Sequence, residues 1–375
     1  MRIQKLLFTA LLFALGGNIS AQTDGNSSFI HATYNQGVSD RGLEEIAESD
    51  YQTFDFIYVM AAPTWNQIDF SLPADEVIKM AETFEYSRLE SGKRYTPQMI
   101  EEIHKGDTKV LLSFAGEGFN PIVEDPQKRD KFVHYMCALV DKFKYDGIEI
   151  DWETGVELNL HAVFVNEIRK ELNNLGRQNN KYYYLTTALH YFQRYTPELA
   201  NKVNDDLDWI NIMTYDMGGG IWGYEATHNT PFNEIKQALK HWEVFDSQKL
   251  CIGLANYGFY YKGIKPGEKK EEKLNNYGSY ISYNKFKPYL SEGWTEEYDT
   301  TENVSYYFSP DKKEFVTMEN PETIAKKIEW IYQQHYRGMF WWEFHYDFIS
   351  PENPSEKGSH ELIDIAKDYL REQQK

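Results

Sequence analysis

The nine residues from 145 to 153 read YDGIEIDWE. Within them, Glu149, Asp151 and Glu153 alternate with two isoleucines and a tryptophan. Because successive side chains of a β-strand point to opposite faces, the three carboxyl groups share one face and the apolar residues share the other. Central parallel strands are normally apolar throughout, so a row of acids on such a strand indicates a functional site. The alternative is a solvated edge strand whose alternation arose by chance.

The acidic face of this strand has an electrostatic consequence. Like charges about 7 Å apart on a buried strand face cannot all ionise without a large cost, so at least one carboxyl group is expected to hold a proton. Such an arrangement separates acid and base roles among neighbouring carboxyl groups.

Short strand-like runs alternate with helix-like runs along the chain. Eight strands are predicted, at Phe29–Tyr34, Phe54–Ala62, Lys109–Phe114, Gly147–Trp152, Tyr183–Leu189, Trp209–Thr214, Leu250–Leu254 and Gly338–Trp342. Helical spacing occurs at Lys128–Phe143, Leu160–Leu172, Asn233–Trp242, Pro321–Tyr332 and Glu361–Leu370. This alternation predicts an α/β protein, a parallel sheet closed into a (β/α)8 TIM barrel over residues 22–375. An open doubly wound sheet is the structural alternative, but no glycine-rich phosphate fingerprint follows the first strand.

Two connections exceed the usual loop length of about 2–6 residues. One runs from Pro63 to about Tyr95 and contains four large aromatic residues, Trp65, Phe70, Phe84 and Tyr86. The other carries strand-like pieces of its own, Ser279–Tyr283, Val304–Phe308 and Glu314–Met318. We interpret residues 262–317 as a small α+β insertion between the seventh strand and its helix.

The sequence resembles glycoside hydrolase family 18, the chitinases and related enzymes, over most of its length. DGIEIDWE at 146–153 is similar to the D-G-x-D-x-D-x-E signature of that family. Further similar motifs follow in the family's order: KVLLSFAG at 109–116 for the third strand, MTYD at 213–216 for the sixth, LANYG at 254–258 for the seventh and GMFWWE at 338–343 for the eighth. Many family members also carry a small chitinase-type insertion at the position of 262–317.

The resemblance implies a retaining mechanism assisted by the substrate, in which an acetamido oxygen of the sugar attacks the anomeric carbon and forms an oxazolinium ion. Glu153 would protonate the leaving oxygen and then deprotonate the incoming water. Asp151 would orient the acetamido N–H group, with Glu149 and Ser113 around it, and Tyr215 would donate a hydrogen bond to the acetamido carbonyl. Substrate contacts are implied for Asp216, Met213, Trp342, Trp222 and Tyr257.

The chain departs from the family pattern at three places. Glu149 stands where an aspartate is usual, which changes the reach of the side chain and keeps its charge. Ala115 replaces a glycine of the third-strand motif, and Ala255 with Asn256 replaces a proline–aromatic pair. The implied reaction needs no cofactor or metal, and His190, His228 and His345 lack close ligand spacing.

The composition and the N-terminus indicate an exported protein that binds neither nucleic acid nor membranes. The 375 residues include 39 basic and 58 acidic side chains, a net charge of −19, which disfavours binding to phosphate backbones and anionic lipid. Residues 1–21 read as a secretory signal cleaved after Ala21, because their apolar run is too short to span a bilayer. We therefore expect a secreted or periplasmic protein. The two cysteines, Cys137 and Cys251, lie in apolar segments and are expected to be buried, unpaired thiols.

The function that the sequence favours is hydrolysis of β-1,4-linked N-acetylglucosamine polymers or oligomers. An endo-β-N-acetylglucosaminidase acting on the chitobiose core of N-glycans is the alternative enzyme. A non-hydrolytic chitin-binding lectin on the same fold is the alternative from a different class, although lectins of this family usually lack an acid at the position of Glu153. The sequence gives no indication of oligomeric state.

Overall fold

The structure is a computed structural model that describes residues 29–35, 51–60, 62, 68–90, 100–101, 103–116, 118–351 and 358–373. The expected signal segment 1–21 and Trp65 lie outside the described residues, as do the side chains of Phe84 and Tyr86. No helix of the described ranges is long and apolar enough to cross a membrane.

Eight parallel strands close into a barrel, which confirms the (β/α)8 prediction and rules out the open sheet. The barrel strands are β1 (Ile30–Asn35), β2 (Phe56–Val59), β3 (Lys109–Gly116), β4 (Gly147–Trp152), β5 (Tyr184–His190), β6 (Trp209–Met213), β7 (Leu250–Ala255) and β13 (Gly338–Trp342). Strands β1 to β7 follow one another around the barrel, and β13 lies between β7 and β1. The acidic strand β4 is therefore interior to a closed sheet and is not a solvated edge.

Helices cover the outside of the barrel. They are α1 (Ala74–Glu90), α2 (Asn120–Val123), α3 (Pro126–Lys142), α4 (Leu158–Asn179), α5 (Pro197–Val203), α6 (Phe232–Leu239), α8 (Pro321–Gln333) and α9 (Ile363–Gln373). A further helix, α7 (Tyr283–Ser291), lies between two strands of a second sheet, which is described below, and packs on that sheet. The predicted helices are found with shifted ends. Helix α4 continues beyond the predicted end at Leu172, with Leu175 still packed against the core, and it stops where Asn180 adopts a left-handed conformation (φ 49°).

The two faces of β4 lie in different environments. Ile148, Ile150 and Trp152 are buried among the residues of the outer layer, between the barrel and its helices. The carboxyl groups consequently point into the barrel, whose interior is filled by a second cluster that includes Tyr34, Tyr58 and Trp209. The alternation of acidic and apolar residues in the sequence therefore corresponds to side chains that point into the barrel and side chains that point toward the helices.

A second, antiparallel sheet follows β7. Its strands are β8 (Tyr257–Lys262), β9 (Gly278–Ser282), β10 (Thr295–Asp299), β11 (Val304–Phe308) and β12 (Glu314–Met318), in the order β10-β11-β12-β8-β9. The sheet begins at Tyr257, earlier than the boundary at 262 expected from sequence, because only one residue separates β8 from the end of β7. The α+β insertion thus continues directly from the barrel edge.

Both cysteines are buried and unpaired, which confirms the prediction from their apolar surroundings. Burial raises the pKa of both thiols far above the ordinary value. These thiols are part of the packing of the fold.

Candidate active site

An open cleft of about 290 Å³ lies at the carboxyl ends of the barrel strands, the edge where (β/α)8 enzymes place their sites. It is lined by Glu153, His190, Met213, Tyr215, Asp216, Tyr257, Tyr280, Trp342 and Tyr346. Six of these are residues that the sequence singled out. The sequence reasoning missed His190, Tyr280 and Tyr346, although His190 directly follows a predicted strand and so stands at its functional end.

The three acids at positions 149, 151 and 153, two in β4 and one directly after it, differ in burial. Glu149 is fully buried, Asp151 is 1% exposed and the side chain of Glu153 is 43% exposed at the cleft. Glu149 accepts hydrogen bonds from Ser113 Oγ (2.5 Å) and from the hydroxyl of Tyr34 (2.8 Å). Burial raises the pKa of Glu149 to about 7, against the opposing effect of these two hydrogen bonds. The longer side chain at this position is therefore fixed by one partner from the neighbouring strand β3 and one from β1, across the barrel interior.

Asp151 lies between these two glutamates on the same strand face. Its hydrogen-bonding neighbour is the side chain of Glu153, and no other described residue supplies a hydrogen bond to either carboxylate oxygen. Burial, together with the charges of Glu153 and Glu149, raises the pKa of Asp151 well above its usual range. A buried carboxyl group that no backbone N–H or hydroxyl group satisfies calls for an explanation, and a ligand group that enters from the cleft supplies one.

The raised pKa of Asp151 predicts a pH-dependent stability. The folded state holds a proton that the unfolded chain releases near pH 4, so the free energy of unfolding falls as the pH rises through the folded-state pKa. Asp151→Asn removes this penalty. We expect the variant to be more stable than the wild type at pH 8 by at least about 1 kcal/mol, with a smaller difference at pH 4.

Urea unfolding at the two pH values measures this difference. Asp130→Asn, on the exposed surface of α3, is the matched control and should leave the pH dependence unchanged. Equal pH dependence in the wild type and Asp151→Asn would contradict the prediction.

Tyr215 and Asp216 follow β6 and line the cleft. An added Cβ at Gly253 of β7 would lie 2.8 Å from the Tyr215 ring, so a glycine is required there for the ring to pack. The Tyr215 hydroxyl is buried and has no hydrogen-bond partner in the described part of the chain. This hydroxyl is a donor available to a bound ligand.

Asp216 is held in a left-handed conformation (φ 52°), which is uncommon for residues other than glycine. Its backbone N–H donates to Asn229 Oδ1 (2.7 Å), and its carboxylate accepts from the hydroxyl of Tyr257 (2.9 Å). Burial raises the pKa of Asp216 to about 6, and the charge of Glu153 adds to this. The strained backbone thus directs a carboxyl group into the cleft.

The two tryptophans at the end of β13 point to opposite sides, as successive residues of a strand do. Trp341 is buried in the outer layer, whereas Trp342 lines the cleft. Asn256 fixes the backbone that follows Trp342, since it accepts from the N–H of Glu343 and donates to the carbonyl of Glu343, both at 2.7 Å. The departure from the family pattern at Asn256 therefore has a structural role beside the cleft.

Trp222 does not line the cleft and is 55% exposed. Its indole N–H donates to the hydroxyl of Tyr280, a cleft residue on β9 of the insertion. Trp222 is therefore connected to the cleft through Tyr280, a lining residue that the sequence analysis did not identify.

No group of three or more histidine, cysteine or acidic side chains in the described ranges is arranged to hold a metal ion. His228, one of the histidines considered, stacks on Tyr306 with a centroid distance of 3.9 Å and shares a hydrogen bond with Thr317 (2.6 Å). It therefore belongs to the contact between the barrel and the insertion.

A model of the glycosyl hydrolases family 18 matches residues 76–347, more than half of the chain. The chain belongs to this family of glycoside hydrolases.

Curated relatives include chitinases from distant organisms. Chitinase A1 of Niallia circulans is 25% identical over 281 residues, which cover 63% of this chain and 40% of the relative. Sporulation-specific chitinase 2 of Saccharomyces cerevisiae is 24% identical over 332 residues, which cover 75% of this chain and 64% of the relative. The chain therefore matches less than two thirds of the length of these two proteins.

A solved structure shares the fold. It is a plant class V chitinase mutant from Cycas revoluta in complex with (GlcNAc)3, with a TM-score of 0.71 and 18% identity, and the alignment covers 90% of this chain and 99% of that one.

Proposed function

We propose that this protein is a retaining glycoside hydrolase that cleaves β-1,4-linked N-acetylglucosamine chains with assistance from the substrate. The observation that carries this proposal is a pair of buried polar groups at the cleft. The Tyr215 hydroxyl has no hydrogen-bond partner among the described residues, and the carboxyl group of Asp151 has none there apart from Glu153. One can accept from an N–H group and the other can donate to a carbonyl, which are the two polar ends of an acetamido group.

The first chemical step forms a bond between the acetamido oxygen and the anomeric carbon, while the glycosidic bond breaks. Glu153 gives its proton to the leaving oxygen and becomes a carboxylate. Asp151 accepts the acetamido N–H and so orients the acetamido oxygen toward the anomeric carbon. Tyr215 holds the acetamido carbonyl in the attacking position, and Trp342 provides the apolar floor beneath the sugar.

In the second step, water attacks the anomeric carbon and the acetamido oxygen departs. The Glu153 carboxylate takes the proton of that water, which restores the acid for the next turnover. Because the two displacements occur on opposite faces of the anomeric carbon, the configuration is retained. Asp216, Met213 and Tyr257 contact the same sugar, and Trp222 lies near the leaving group.

The substrate is tested by incubating the protein with chitohexaose and, separately, with a high-mannose glycopeptide, with products read by mass spectrometry. We expect chitobiose and chitotriose from chitohexaose. A glycan released from the peptide, with one acetamido sugar left behind, would instead assign the endo-β-N-acetylglucosaminidase. Binding of chitohexaose with no product from either substrate would assign the lectin and overturn the proposal.

We also propose that the protein is exported, with residues 1–21 removed after Ala21. N-terminal sequencing of the protein from the medium or the periplasm tests this. An N-terminus at Gln22 is expected, and an intact Met1 would contradict it.

Tyr215→Phe tests the role of the Tyr215 hydroxyl in binding and in stability. Removal of a hydroxyl that has no partner should not destabilise the fold and should raise the free energy of unfolding by up to about 1 kcal/mol. Removal of the donor to the acetamido carbonyl should lower kcat for chitohexaose by about 10²-fold. Steady-state kinetics and urea unfolding measure both effects.

Tyr195→Phe is the matched control. Its hydroxyl is buried and shares a hydrogen bond with His161 Nδ1 (3.0 Å) outside the cleft. This variant should lose about 1 kcal/mol of stability and keep its kcat. Loss of stability without loss of kcat in Tyr215→Phe would contradict the assigned role.

A further inference from the structure

His190 is the one basic side chain among the nine residues that line the cleft. It is the last residue of β5 and pairs in register with Met213 of β6. Its ring stacks on Phe192 with a centroid distance of 4.9 Å and an interplanar angle of 14°. Its Nε2 atom lies 3.9 Å from Oε2 of Glu153, and the His190 side chain is 22% exposed. The imidazole is thus fixed beside the proposed acid.

A positive charge at this position would oppose the proposed reaction, because it would repel the positive charge that develops on the sugar ring and on the oxazolinium ion. The reaction therefore requires an uncharged imidazole.

The surroundings of His190 favour that uncharged form. Burial lowers the pKa of His190, and the charge of Glu153 opposes this effect. The other charged group of the cleft is Asp216, whose carboxylate is engaged by the hydroxyl of Tyr257. The remaining titratable lining groups are tyrosines from β8, β9 and the segments after β6 and β13, Tyr215, Tyr257, Tyr280 and Tyr346. Among the described residues that line the cleft there is no lysine or arginine.

We propose that His190 is a positioning residue for Glu153, that its imidazole must be uncharged for the reaction, and that protonation of this imidazole ends activity at low pH. This inference rests on the proposed function, because it assumes that Glu153 acts as the acid. It assigns the acidic limb of the pH profile to a residue that is not part of the family motifs found in this sequence.

The test is the pH dependence of kcat/KM for chitotetraose, and its readout is the position of the acidic limb. His190→Gln removes the titrating group, so the limb should move to lower pH by at least about half a pH unit. Phe192→Ala uncovers the ring and relieves the burial that lowers its pKa, so the limb should move to higher pH. The double variant should resemble His190→Gln. His134→Gln, an exposed histidine on α3, is the matched control and should leave the limb in place.

Opposite shifts in the two single variants cannot arise from a structural role alone, which would lower activity at every pH. An unchanged limb in His190→Gln would overturn the proposal, since it would assign the limb to Asp151 or Asp216. The far-ultraviolet circular dichroism of each variant verifies that it is folded.

An NMR titration of the His190 imidazole provides a readout that does not depend on turnover. Its pKa should lie below 6.5 in the wild type, fall further in Glu153→Gln and rise in Phe192→Ala. A pKa that does not respond to Glu153→Gln would overturn the inference. If the wild type cleaves no acetamido sugar while the titration behaves as expected, the proposed function fails and the coupling between His190 and Glu153 stands.

Discussion

Glu153→Gln is expected to lower kcat for chitohexaose by about 10²–10⁴-fold, the contribution of a positioned general acid. The amide has nearly the size of the carboxyl group and no proton to give to the leaving oxygen. Glu153 is the most exposed of the three acids of β4 and faces the cleft, so its loss should not disturb packing. Chitohexaose should therefore still bind, with a Kd within a few-fold of the KM of the wild type.

Quenched-flow or steady-state kinetics with product analysis measure the loss, and isothermal titration calorimetry measures the retained binding. Glu243→Gln, an exposed glutamate outside the cleft, is the control for the same chemical change and should retain the activity of the wild type. Turnover by Glu153→Gln at the rate of the wild type would remove Glu153 from the mechanism. Loss of both binding and turnover would make it a ligand-binding residue instead.

Lys327→Met is expected to destabilise the fold by about 3–5 kcal/mol, the usual cost of removing one partner of a buried ion pair. The side chains of Lys327 and Glu319 are 2% and 1% exposed and form an ion pair. Lys327 Nζ also donates to the carbonyl oxygen of Thr230 (2.7 Å). The pair therefore connects α8, the end of β12 and the loop after β6. Loss of Lys327 leaves the buried carboxylate of Glu319 without an opposite charge.

The adjacent Lys326 provides a matched control. It pairs with Glu322 on the exposed face of the same helix, at 2.7 Å, and such pairs contribute less than about 1 kcal/mol. Lys326→Met should thus shift the urea midpoint far less than Lys327→Met. The double variant Lys327→Met/Glu319→Gln removes the stranded charge, keeps an acceptor for the hydroxyl of Thr230 and should recover part of the loss. Equal midpoints for the two single lysine variants would contradict the argument.

The separation of acidic and apolar side chains onto two faces of β4 was predictable, because it depends on local strand geometry. A period of two along a strand separates Glu149, Asp151 and Glu153 from their apolar neighbours whatever the rest of the chain does. The eight strands and most helices were predictable for a similar reason, since burial of one face leaves its period in the sequence. The same period places Trp341 and Trp342 on opposite sides of β13, Trp341 in the outer layer and Trp342 at the cleft.

The partners of the acids were harder to identify. Tyr34 and Glu149 are 115 residues apart and meet across the closed barrel, and only the strand order and register bring them to 2.8 Å. The same is true of Asn256 and Glu343, and of the insertion strand that brings Tyr280 to the cleft. None of these contacts has a periodic signal, because each depends on where two distant segments end.

The sequence by itself determined the fold class, the face on which the acids lie and the family resemblance, since these follow from short-range periodicity and contiguous motifs. The tertiary structure alone decided which carboxyl group faces the cleft and which one accepts hydrogen bonds from Ser113 and Tyr34. It also decided which histidine stands beside Glu153. The physical reason is that burial and hydrogen bonding depend on the closure of the barrel. They assign different environments to three acids that the sequence presents as equivalent.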